Sequence, residues 1–413
     1  MKKSHLDIID PIHDFIRVYD HELAIIDNPI FQRLRRIRQL SGAHLTYPAA
    51  QHTRFEHSLG VMHIASQAGH ALHEKGILKS DDIETLRLSG LLHDIGHGPF
   101  SHLFEEIIQE KKISHEDFGR EIILKSEIGD SLSKNGFDKK LITKIAFGDS
   151  KFQYMNEIVS GALSADMMDY LLRDGYFTGA EHAKVDYKRI TQSLDIHKKK
   201  IALERSALYS FESMMHSRYQ MFKAVYFHKT VRAGEVMLLK AMSLAEDELG
   251  LSSLDLDDFL KLSDESVITK LLNLPEHNSQ LKTSKKIATD YLNRNLFKCV
   301  FERTTSSTRN LGIKLVEELK ESIAKKSNVD ASEIHLDTST THSIPMTPTN
   351  KESKSVILIT KEPKVKAEEF LISNIPLVST MSGKMNILRV YTQQSNRKKV
   401  EITAKSILGD LKL

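Results

Sequence analysis

The sequence predicts a mainly α-helical fold with a small C-terminal α+β appendage. Apolar residues recur at helical spacing in long stretches between residues 30 and 272, whereas strand-like runs are scarce before the C-terminal region. A chain of 413 residues with 40% hydrophobic content can also bury a substantial core. We expect a catalytic region with a helical extension at 1–335, a polar linker or loop at 336–354 and a small α+β region at 355–413.

The predicted elements begin with an extended segment and turn at Ile8–Tyr19, where Pro11 disfavours a helix. The triplet Asp27-Asn28-Pro29 then predicts the start of a helix over Ile30–Leu40. Apolar spacing predicts further helices, which end at glycine, proline or polar residues. They are expected at Glu56–Lys75, Asp81–Ile95, Phe100–Lys111, His115–Lys125, Asn156–Asp174, Phe211–Leu249 and Asp255–Leu272.

The C-terminal part of the sequence changes character. Residues 338–354 read TSTTHSIPMTPTNKESK, a polar stretch with prolines that is typical of a linker or exposed loop. Beyond it, Val356–Ile359 and Ile387–Tyr391 are runs of β-branched and apolar residues, which favour strands. These two runs indicate the small α+β appendage.

Composition excludes several classes of protein. The 58 Lys and Arg residues exceed the 55 Asp and Glu residues by three, so no global positive field indicates a nucleic-acid partner. The basic clusters at 33–38 and 397–399 lack interleaved aromatic residues and are interpreted as solvated surfaces. The single Cys299 excludes an internal disulfide, and no apolar run approaches the ~20 residues that span a bilayer. We therefore expect a cytoplasmic enzyme with no membrane partner.

Four residues in segments predicted to be helical could bind a metal: His57, the doublet His93-Asp94, and Asp166. Two imidazoles and two carboxylates can hold one divalent ion and still leave positions for water and a phosphate oxygen. Mixed nitrogen and oxygen ligands do not select among manganese, iron, nickel, magnesium and zinc. We expect one such ion per active site.

More imidazoles follow in the context LLHDIGHGPFSH. An apolar helix ends there at a glycine-rich break, and His97 and His102 lie just beyond the doublet. Imidazoles at this place could converge on the open side of the metal and contact phosphate. The alternative is that both side chains only cap helix ends.

Three motifs resemble the HD-domain superfamily: RFEHSLG at 54–60, HDIGHGPFSH at 93–102 and DMMDYLLRD at 166–174. More narrowly, the chain resembles the deoxynucleoside triphosphate triphosphohydrolases from about Ile8 to at least Lys229, with a weaker similarity in NLFKCV at 295–300. The resemblance implies an HD-domain helical core. We expect no sterile-alpha-motif module, because the HD-like region begins almost at residue 1.

The resemblance implies a reaction in which a deoxynucleoside triphosphate is cleaved to deoxynucleoside and triphosphate. The four candidate ligands match the family's metal ligands, and water would attack the α-phosphorus. His115 matches the family's catalytic histidine, which would protonate the departing 5′ oxygen with Glu116 orienting its ring. His97 is expected to assist. The alternative for His115 is an ordinary position at a helix start, after Ser114.

The resemblance also implies a deoxynucleotide-binding surface. Asp166, Tyr170 and either Arg173 or Asp174 recur at helical spacing and so share a face. Tyr170 would pack against the deoxyribose and exclude a 2′-hydroxyl, and Asp174 would accept a hydrogen bond from the 3′-hydroxyl. The alternative for Tyr170 is a partly buried core aromatic. The full set of substrate-binding candidates is Gln39, Arg54, His102, Tyr170, Asp174, Arg218 and Tyr226.

One departure from the family affects phosphate binding. Regulated relatives place a lysine directly after the last metal ligand, whereas this chain has Met167. A thioether cannot neutralise a phosphate, so another cation such as Lys223 or Lys229 would have to compensate.

Asp27, Gln32 and Arg35 resemble positions that bind an activating guanine nucleotide between subunits in regulated relatives. A GTP or dNTP activator and a homo-oligomer, a dimer or tetramer, are therefore implied by the resemblance alone. Asp7 stands where those relatives have a lysine, so the sign of the charge is reversed. The alternative is structural, with Asp27 as a helix N-cap.

Two other functions remain open at this stage. HD proteins also hydrolyse cyclic nucleotides, alarmones, nucleoside monophosphates and nucleic acids, so the motifs specify the superfamily better than the substrate. A nucleotide sensor without catalysis is the third possibility, and the complete metal quartet argues against it.

Overall fold

A computed structural model describes residues 4–108, 113–305, 312–339, 355–360, 367–375, 378 and 386–409. The fold is mainly α-helical, as predicted. The helices, in chain order, are α1 Asp20–Ile26, α2 Pro29–Gln32, α3 Arg54–Glu74, α4 Ser80–Leu92, α5 His102–Ile108, α6 His115–Lys125, α7 Glu127–Lys134, α8 Lys139–Ala146, α9 Gln153–Val159, α10 Ala165–Thr178, α11 Tyr187–Gln192, α12 Leu208–Met221, α13 Lys229–Leu244, α14 Glu246–Leu249, α15 Leu256–Leu260, α16 Asp264–Leu272, α17 Ser279–Leu292, α18 Ile313–Ser327 and α19 Arg397–Leu408.

Three small sheets accompany the helices. The strands are β1 Ser4–Asp10, β2 Asp14–Tyr19, β3 Leu194–His197, β4 Lys200–Glu204, β5 Lys298–Thr305, β6 Ile334–Ser339, β7 Ser355–Ile359, β8 Glu368–Leu371 and β9 Asn386–Thr392. Strands β1 and β2 form an antiparallel hairpin, as the extended segment and turn predict. The other two sheets have the orders β3-β4-β7-β8 and β5-β9-β6.

Helices α3 and α4 pack extensively against each other. Fourteen residues of the 21-residue α3 are buried. Two apolar clusters include residues of this pair: one contains Leu91 together with Phe104, and the other contains Ile64 together with Met168. The packing of α3 against α4 brings His57 close to His93 and Asp94. None of the helices in the described ranges has the length and apolar character required to cross a membrane.

Several helices are shorter than the sequence predicted. The expected helix over Ile30–Leu40 is only α2 followed by one 3-10 turn, because the N–H of Arg38 donates to the carboxylate of Asp264 rather than to its own helix. The expected helix over Asn156–Asp174 is divided into α9 and α10, since Ser164 caps a new helix by accepting from Met167 N. These interruptions depend on tertiary partners and local caps.

The expected helices over Phe211–Leu249 and Asp255–Leu272 are also divided. The first contains a π-helical turn at Phe222–Tyr226 and a break before α13, and the second contains a break between α15 and α16. A π-turn inserts one extra residue and rotates the residues that follow it, a device often found at functional sites. Here it carries Tyr226, one of the substrate-binding candidates.

Strand pairing crosses the expected boundaries at residues 335 and 355. Strand β7 pairs in parallel with β4 of the catalytic region, and β9 lies between β5 and β6. Both β-type runs are strands as predicted: β7 extends a sheet of the catalytic region, and β9 is the central strand of a sheet that shares an apolar cluster with α18 and α19. Residues 336–339 of the expected linker belong to β6, and residues 340–354 lie outside the described residues. Strand pairing between distant segments could not be predicted from local composition.

Candidate metal centre and active site

Three helices deliver the candidate metal ligands. His57 lies in the first turn of α3, which begins with a capping box formed by Thr53 and Glu56. His93 is the C-cap of α4 and Asp94 follows it directly. Asp166 lies in the first turn of α10. Helix ends therefore supply all four groups, a position that the sequence predicted only for His93 and Asp94, which follow an apolar helix at the glycine-rich break.

The four side chains meet at one point. The His57 Nε2 lies 3.2 Å from Asp166 Oδ1 and 3.6 Å from Asp94 Oδ2. The His93 Nε2 lies 3.4 Å from Asp94 Oδ1 and 3.7 Å from Asp166 Oδ1. Ligand atoms of His57, His93 and Asp166 all lie within 4.8 Å of one another. Residues separated by more than 100 positions thus form a single donor set.

The donor set fits a divalent cation in its hydrogen bonding. The Nδ1 of His57 donates to Asp169 Oδ2 at 2.8 Å, and the Nδ1 of His93 donates to the carbonyl of Gly90 at 2.7 Å. The proton on each Nδ1 leaves each Nε2 with its lone pair. Both Nε2 atoms are buried and have no hydrogen-bond partner, which suits a metal ion as the missing contact.

The electrostatics of the set also favour a cation. Burial lowers the pKa of His57, but the neighbouring carboxylates of Asp166 and Asp169 outweigh it and raise that pKa to about 10. Burial raises the pKa of Asp94, but Arg54 and the neighbouring imidazoles outweigh it and hold the pKa well below its ordinary value. The site concentrates negative charge that a proton on His57 partly neutralises. A bound metal would have to displace that proton.

Asp169, which the sequence analysis did not select, supports His57 from behind. Its carboxylate is fully buried and accepts from the ring of His13 at 2.6 Å as well as from His57. Arg173 donates to both of its oxygens, at 2.9 and 3.0 Å, and also pairs with Asp10 in the hairpin turn. Asp169 is the second aspartate of DMMD, and its position one helical turn after Asp166 is the sequence signal that could have identified it.

Gly60 is required by this arrangement. A Cβ at that position would lie 1.8 Å from Asp169 Oδ1, closer than any contact between nonbonded atoms. The glycine of RFEHSLG therefore lets the Asp169 carboxylate approach α3 and reach the ring of His57. Glycine permits the close approach, which no other residue would allow without displacing Asp169.

Arg54 contacts a metal ligand rather than standing free. Its Nη1 donates to Asp94 Oδ2 in a short contact, and its Nε donates to Ser101 Oγ at 2.8 Å. The side chain is buried. A guanidinium therefore lies directly beside a candidate metal ligand, and its expected contact with triphosphate stays a prediction.

A second cluster of imidazoles lies next to the metal ligands. The ring of His97 stacks on that of His115, with ring centres 3.9 Å apart, and its Nε2 lies 3.2 Å from Asp94 Oδ1. His102 contacts both rings edge-on and is mostly exposed. Burial, with help from Arg54 and His115, holds the pKa of His97 well below its ordinary value, so its imidazole is neutral. The expected convergence of the imidazoles is therefore present.

A carboxylate distant in sequence, Glu105, contacts His115. The Nδ1 of His115 donates to Glu105 Oε1 in a short contact, and Glu116 pairs with Arg120 at 3.3 Å. The orienting role expected of Glu116 stays a prediction, because the contact with Glu105 does not test it. Ser114 caps α6, as the alternative interpretation of His115 as an ordinary residue at a helix start expected. The His115 ring nevertheless lies in the histidine cluster, stacked on His97.

The expected sugar-binding residues meet around Asp174. Its Oδ1 accepts from His52 Nε2 at 2.7 Å, and its Oδ2 accepts from the hydroxyl of Tyr226 at 2.6 Å. The rings of Tyr170 and Tyr226 contact each other edge-on, with centres 6.5 Å apart. The backbone N–H of Gln39 donates to the carbonyl of His52. His52 was not selected from the sequence, and only its buried contact with Asp174 identifies it.

Arg218 lies close to the departure at Met167. Its Nη1 lies 3.8 Å from the sulfur of Met167, and its guanidinium carbon lies 5.8 Å from the ring centre of Phe222. A cation is thus present beside the position where relatives have a lysine. Arg173, the other candidate for the shared face of α10, is directed instead to Asp169 and Asp10.

The N-terminal segment does not place Asp27 at a helix start. Asp27 is the C-cap of α1, and Asn28 caps α2 by accepting from the N–H of Ile30. The Nε2 of Gln32 donates to the carbonyl of Ile26, and Arg35 donates to Gln32 and stacks on Phe55. The N-cap alternative for Asp27 is therefore wrong, because Asn28, just before Pro29, has the extended backbone that an N-cap requires.

Comparison with known proteins agrees with this geometry. The family model described as HD domain matches residues 54–174, and the model described as HD associated region matches residues 185–412. An uncharacterized protein of Methanocaldococcus jannaschii is 40% identical over 64% of this chain, and the chain spans 54% of that relative's length. An uncharacterized protein of Bacillus subtilis is 36% identical over 70% of this chain and 71% of its own length. Deoxynucleoside triphosphate triphosphohydrolase SAMHD1 of Homo sapiens is 30% identical over 74% of this chain and 56% of its own length.

Solved structures show the same architecture. A hypothetical protein from Aquifex aeolicus superimposes with a TM-score of 0.77 at 29% identity, covering 97% of this chain and 100% of that one. A phosphohydrolase from Bacteroides thetaiotaomicron gives a TM-score of 0.77 at 26% identity, covering 94% of this chain and 100% of that one. The metal donor set, the histidine cluster and both family models lead to one conclusion. The chain belongs to the HD-domain phosphohydrolases that carry an HD-associated region.

Proposed function

We propose that this protein hydrolyses deoxynucleoside triphosphates to deoxynucleoside and triphosphate, using one divalent metal ion held by His57, His93, Asp94 and Asp166. The observation that carries the proposal is that one helix, α10, bears both a metal ligand, Asp166, and a buried carboxylate two turns later, Asp174. Residues four or eight positions apart on a helix lie on the same face, separated by about 6 Å or about 12 Å along the helix axis. One face can then contact both a phosphate and a sugar hydroxyl.

A divalent ion bound by these ligands would neutralise phosphate charge and make water a better nucleophile at neutral pH. Arg54 would add a positive charge beside the phosphates, since its Nη1 already lies against Asp94. Met167 supplies no charge there, and the nearby Arg218 takes the place of the lysine found in regulated relatives.

His115 is the group that would donate a proton to the departing 5′ oxygen. Its Nδ1–H donates to Glu105, so the carboxylate orients the ring, and Nε2 would carry the proton to be transferred. His97 lies against the same ring, and burial, with help from Arg54 and His115, holds the pKa of His97 well below its ordinary value. His102 completes the cluster on its exposed side.

Deoxyribose recognition is assigned to Asp174, Tyr170 and Tyr226. Each carboxylate oxygen of Asp174 accepts one hydrogen bond within the protein, Oδ1 from His52 and Oδ2 from Tyr226. Each oxygen therefore retains a lone pair that could accept from a 3′-hydroxyl. The tyrosine pair supplies the apolar wall that would exclude a 2′-hydroxyl. Gln39, whose buried Oε1 has no hydrogen-bond partner, could accept from the same sugar.

Activation by GTP or a dNTP at Asp27, Gln32 and Arg35, in a dimer or tetramer, is a second part of the proposal. Asp27 and Arg35 are exposed, as a site between subunits requires. Asp7, which stands where relatives have a lysine, pairs with Arg17 at 3.0 Å on the hairpin surface. A nucleotide phosphate could contact Arg17 only after the ion pair between Asp7 and Arg17 breaks.

A product assay in isotopically labelled water tests the reaction. Protein loaded with Mn²⁺ is incubated with each dNTP in H₂¹⁸O, with and without GTP, and the products are separated by ion exchange. We expect deoxynucleoside and triphosphate, with the label in the triphosphate. Release of pyrophosphate or single phosphate, or turnover of a cyclic nucleotide or alarmone in preference to every dNTP, would reject the proposed substrate.

A matched pair of variants tests the site. Asp94→Ala should lose bound metal and activity together, because it removes a ligand at the centre of the donor set. The control is Asp130→Ala, since the side chain of Asp130 is 82% exposed and far from any candidate ligand in sequence. Full turnover by Asp94→Ala would show that the catalytic centre lies elsewhere.

A further inference from the structure

The turn between the catalytic histidines has a costly backbone. Phe100 and Ser101 have φ angles of 57° and 56°, the left-handed region that residues with a Cβ avoid. Both are buried, and they lie between His97 and His102. Two consecutive left-handed residues persist only when surrounding groups hold them, and such strain is often found at functional sites.

Residues distant in sequence hold this turn by hydrogen bonds to both the N–H and the carbonyl of Phe100. Asp264 Oδ1 accepts from the N–H of Phe100 at 2.7 Å, and Ser41 Oγ donates to the Phe100 carbonyl at 2.8 Å. The other oxygen of Asp264 accepts from the N–H of Arg38 at 3.0 Å, and Ser101 Oγ donates to the Arg38 carbonyl at 2.9 Å. The carboxylate of Asp264 is 1% exposed, so water does not replace these bonds.

The beginning of the same loop is also supported. The Nη2 of Arg33 donates to the carbonyls of Ile95 and His97, at 3.2 and 2.8 Å. Its guanidinium carbon lies 4.9 Å from the ring centre of Phe259, and that ring also stacks on Phe118. Phe259 therefore keeps Arg33 in place below the loop.

The supporting residues come from a different region of the chain. The loop lies in the HD domain, whereas Phe259 and Asp264 lie in the HD-associated region. Asp264 is the first residue of α16, yet its side chain points to the loop instead of capping its own helix, for which Ser263 suffices. The HD domain alone thus contains the strained turn without the carboxylate that holds it.

We propose that Asp264, assisted by Ser41, is a positioning residue that holds the Phe100-Ser101 turn and thereby sets His97 and His102 for catalysis. The HD-associated region then contributes to the active site through this carboxylate, which accepts from the backbone N–H groups of Phe100 and Arg38. The inference uses the proposed reaction only for its kinetic readout, and its structural readout needs no substrate.

Hydrogen exchange and kinetics of the full chain test the role. Asp264→Asn should speed amide exchange in the peptide spanning residues 95–103 at least tenfold, because an amide side chain offers one acceptor for two N–H donors. With dGTP, kcat should fall about 10-fold to 100-fold with KM within about threefold, and Mn²⁺ content should be unchanged. Ser41→Ala should give the same pattern more weakly.

Glu265→Gln is the matched control. Glu265 is the next residue of α16 and also pairs with Arg38, at 3.1 Å, but its side chain is 58% exposed. In Glu265→Gln, the rate of amide exchange in the peptide spanning residues 95–103 and the kcat should equal those of the wild type. Wild-type exchange of the loop in folded Asp264→Asn would overturn the proposal, as would a fall in kcat that accompanies loss of metal. If Asp264→Asn does not fold, Ser41→Ala decides by the same two criteria. If dGTP proves not to be a substrate, exchange alone decides, and the proposed reaction fails separately.

Discussion

Replacing Gly60 by alanine tests the support behind the metal site most directly. The new Cβ would lie 1.8 Å from Asp169 Oδ1 and 2.7 Å from Arg173 Nη2, so the buried carboxylate must move away. Disruption of a buried, hydrogen-bonded ion pair costs about 3–5 kcal/mol. Alanine recovers up to about 1 kcal/mol as the better helix former. We expect a net loss of about 2–4 kcal/mol in the free energy of unfolding.

Metal binding should weaken in the same variant. Asp169 accepts the Nδ1 proton of His57, and loss of such a partner behind a metal ligand lowers affinity about 10-fold to 100-fold. Urea denaturation of the metal-free protein measures the first effect, and calorimetric titration with Mn²⁺ measures the second.

A second glycine of the same helix provides the control. A Cβ at Gly69 would meet Ile83 Cγ2 at 3.3 Å, a contact that a flexible side chain can relieve. Gly69→Ala should therefore leave metal affinity unchanged and alter stability by no more than about 1 kcal/mol. If the two alanine variants unfold alike and bind Mn²⁺ alike, the close approach of Asp169 to α3 has no energetic consequence and the reasoning is refuted.

Three further outcomes are expected. Glu105→Gln should reduce kcat about 10-fold to 100-fold in a steady-state assay because it removes the charged partner of the proton donor, whereas Glu116→Gln should change it less than about threefold. Tyr226→Phe should lower kcat/KM for a dNTP roughly tenfold and reduce discrimination against the 2′,3′-dideoxy analogue, because Asp174 loses a charged hydrogen bond. Burial raises the pKa of Asp264 to about 6 from an ordinary 3.8, so the folded state binds its proton more tightly than the unfolded state. This group's contribution to stability should fall by about 2 kcal/mol as pH rises from 4 to 7, and urea denaturation of wild type and Asp264→Asn over that range should show their stability difference decreasing accordingly.

Helix content could be predicted from the sequence because apolar spacing is a local property, whereas the candidate metal ligands were selected as imidazoles and carboxylates in motifs that resemble a known family. Apolar spacing along α3 and α4 reports which side of each helix is buried, and His57 and His93 sit at the ends of those helices. Helix breaks were harder to predict. The break after Arg36 depends on Asp264, more than 200 residues away, and strand β7 pairs with β4, where Ala202 lies beside Ile357.

The sequence by itself was enough to select candidate site residues where polar, metal-binding side chains interrupt an apolar helix: imidazoles and carboxylates beside a glycine-rich break. Tertiary structure alone decided which carboxylate serves which imidazole. Glu105 and Glu116 have the same chemistry, and Glu116 is adjacent to His115 in sequence whereas Glu105 is 10 residues away, yet it is Glu105 that reaches the His115 Nδ1. Asp169 and Asp264 likewise gain their roles from burial against distant partners. A hydrogen bond depends on position within a few tenths of an ångström, and packing of distant helices sets that position.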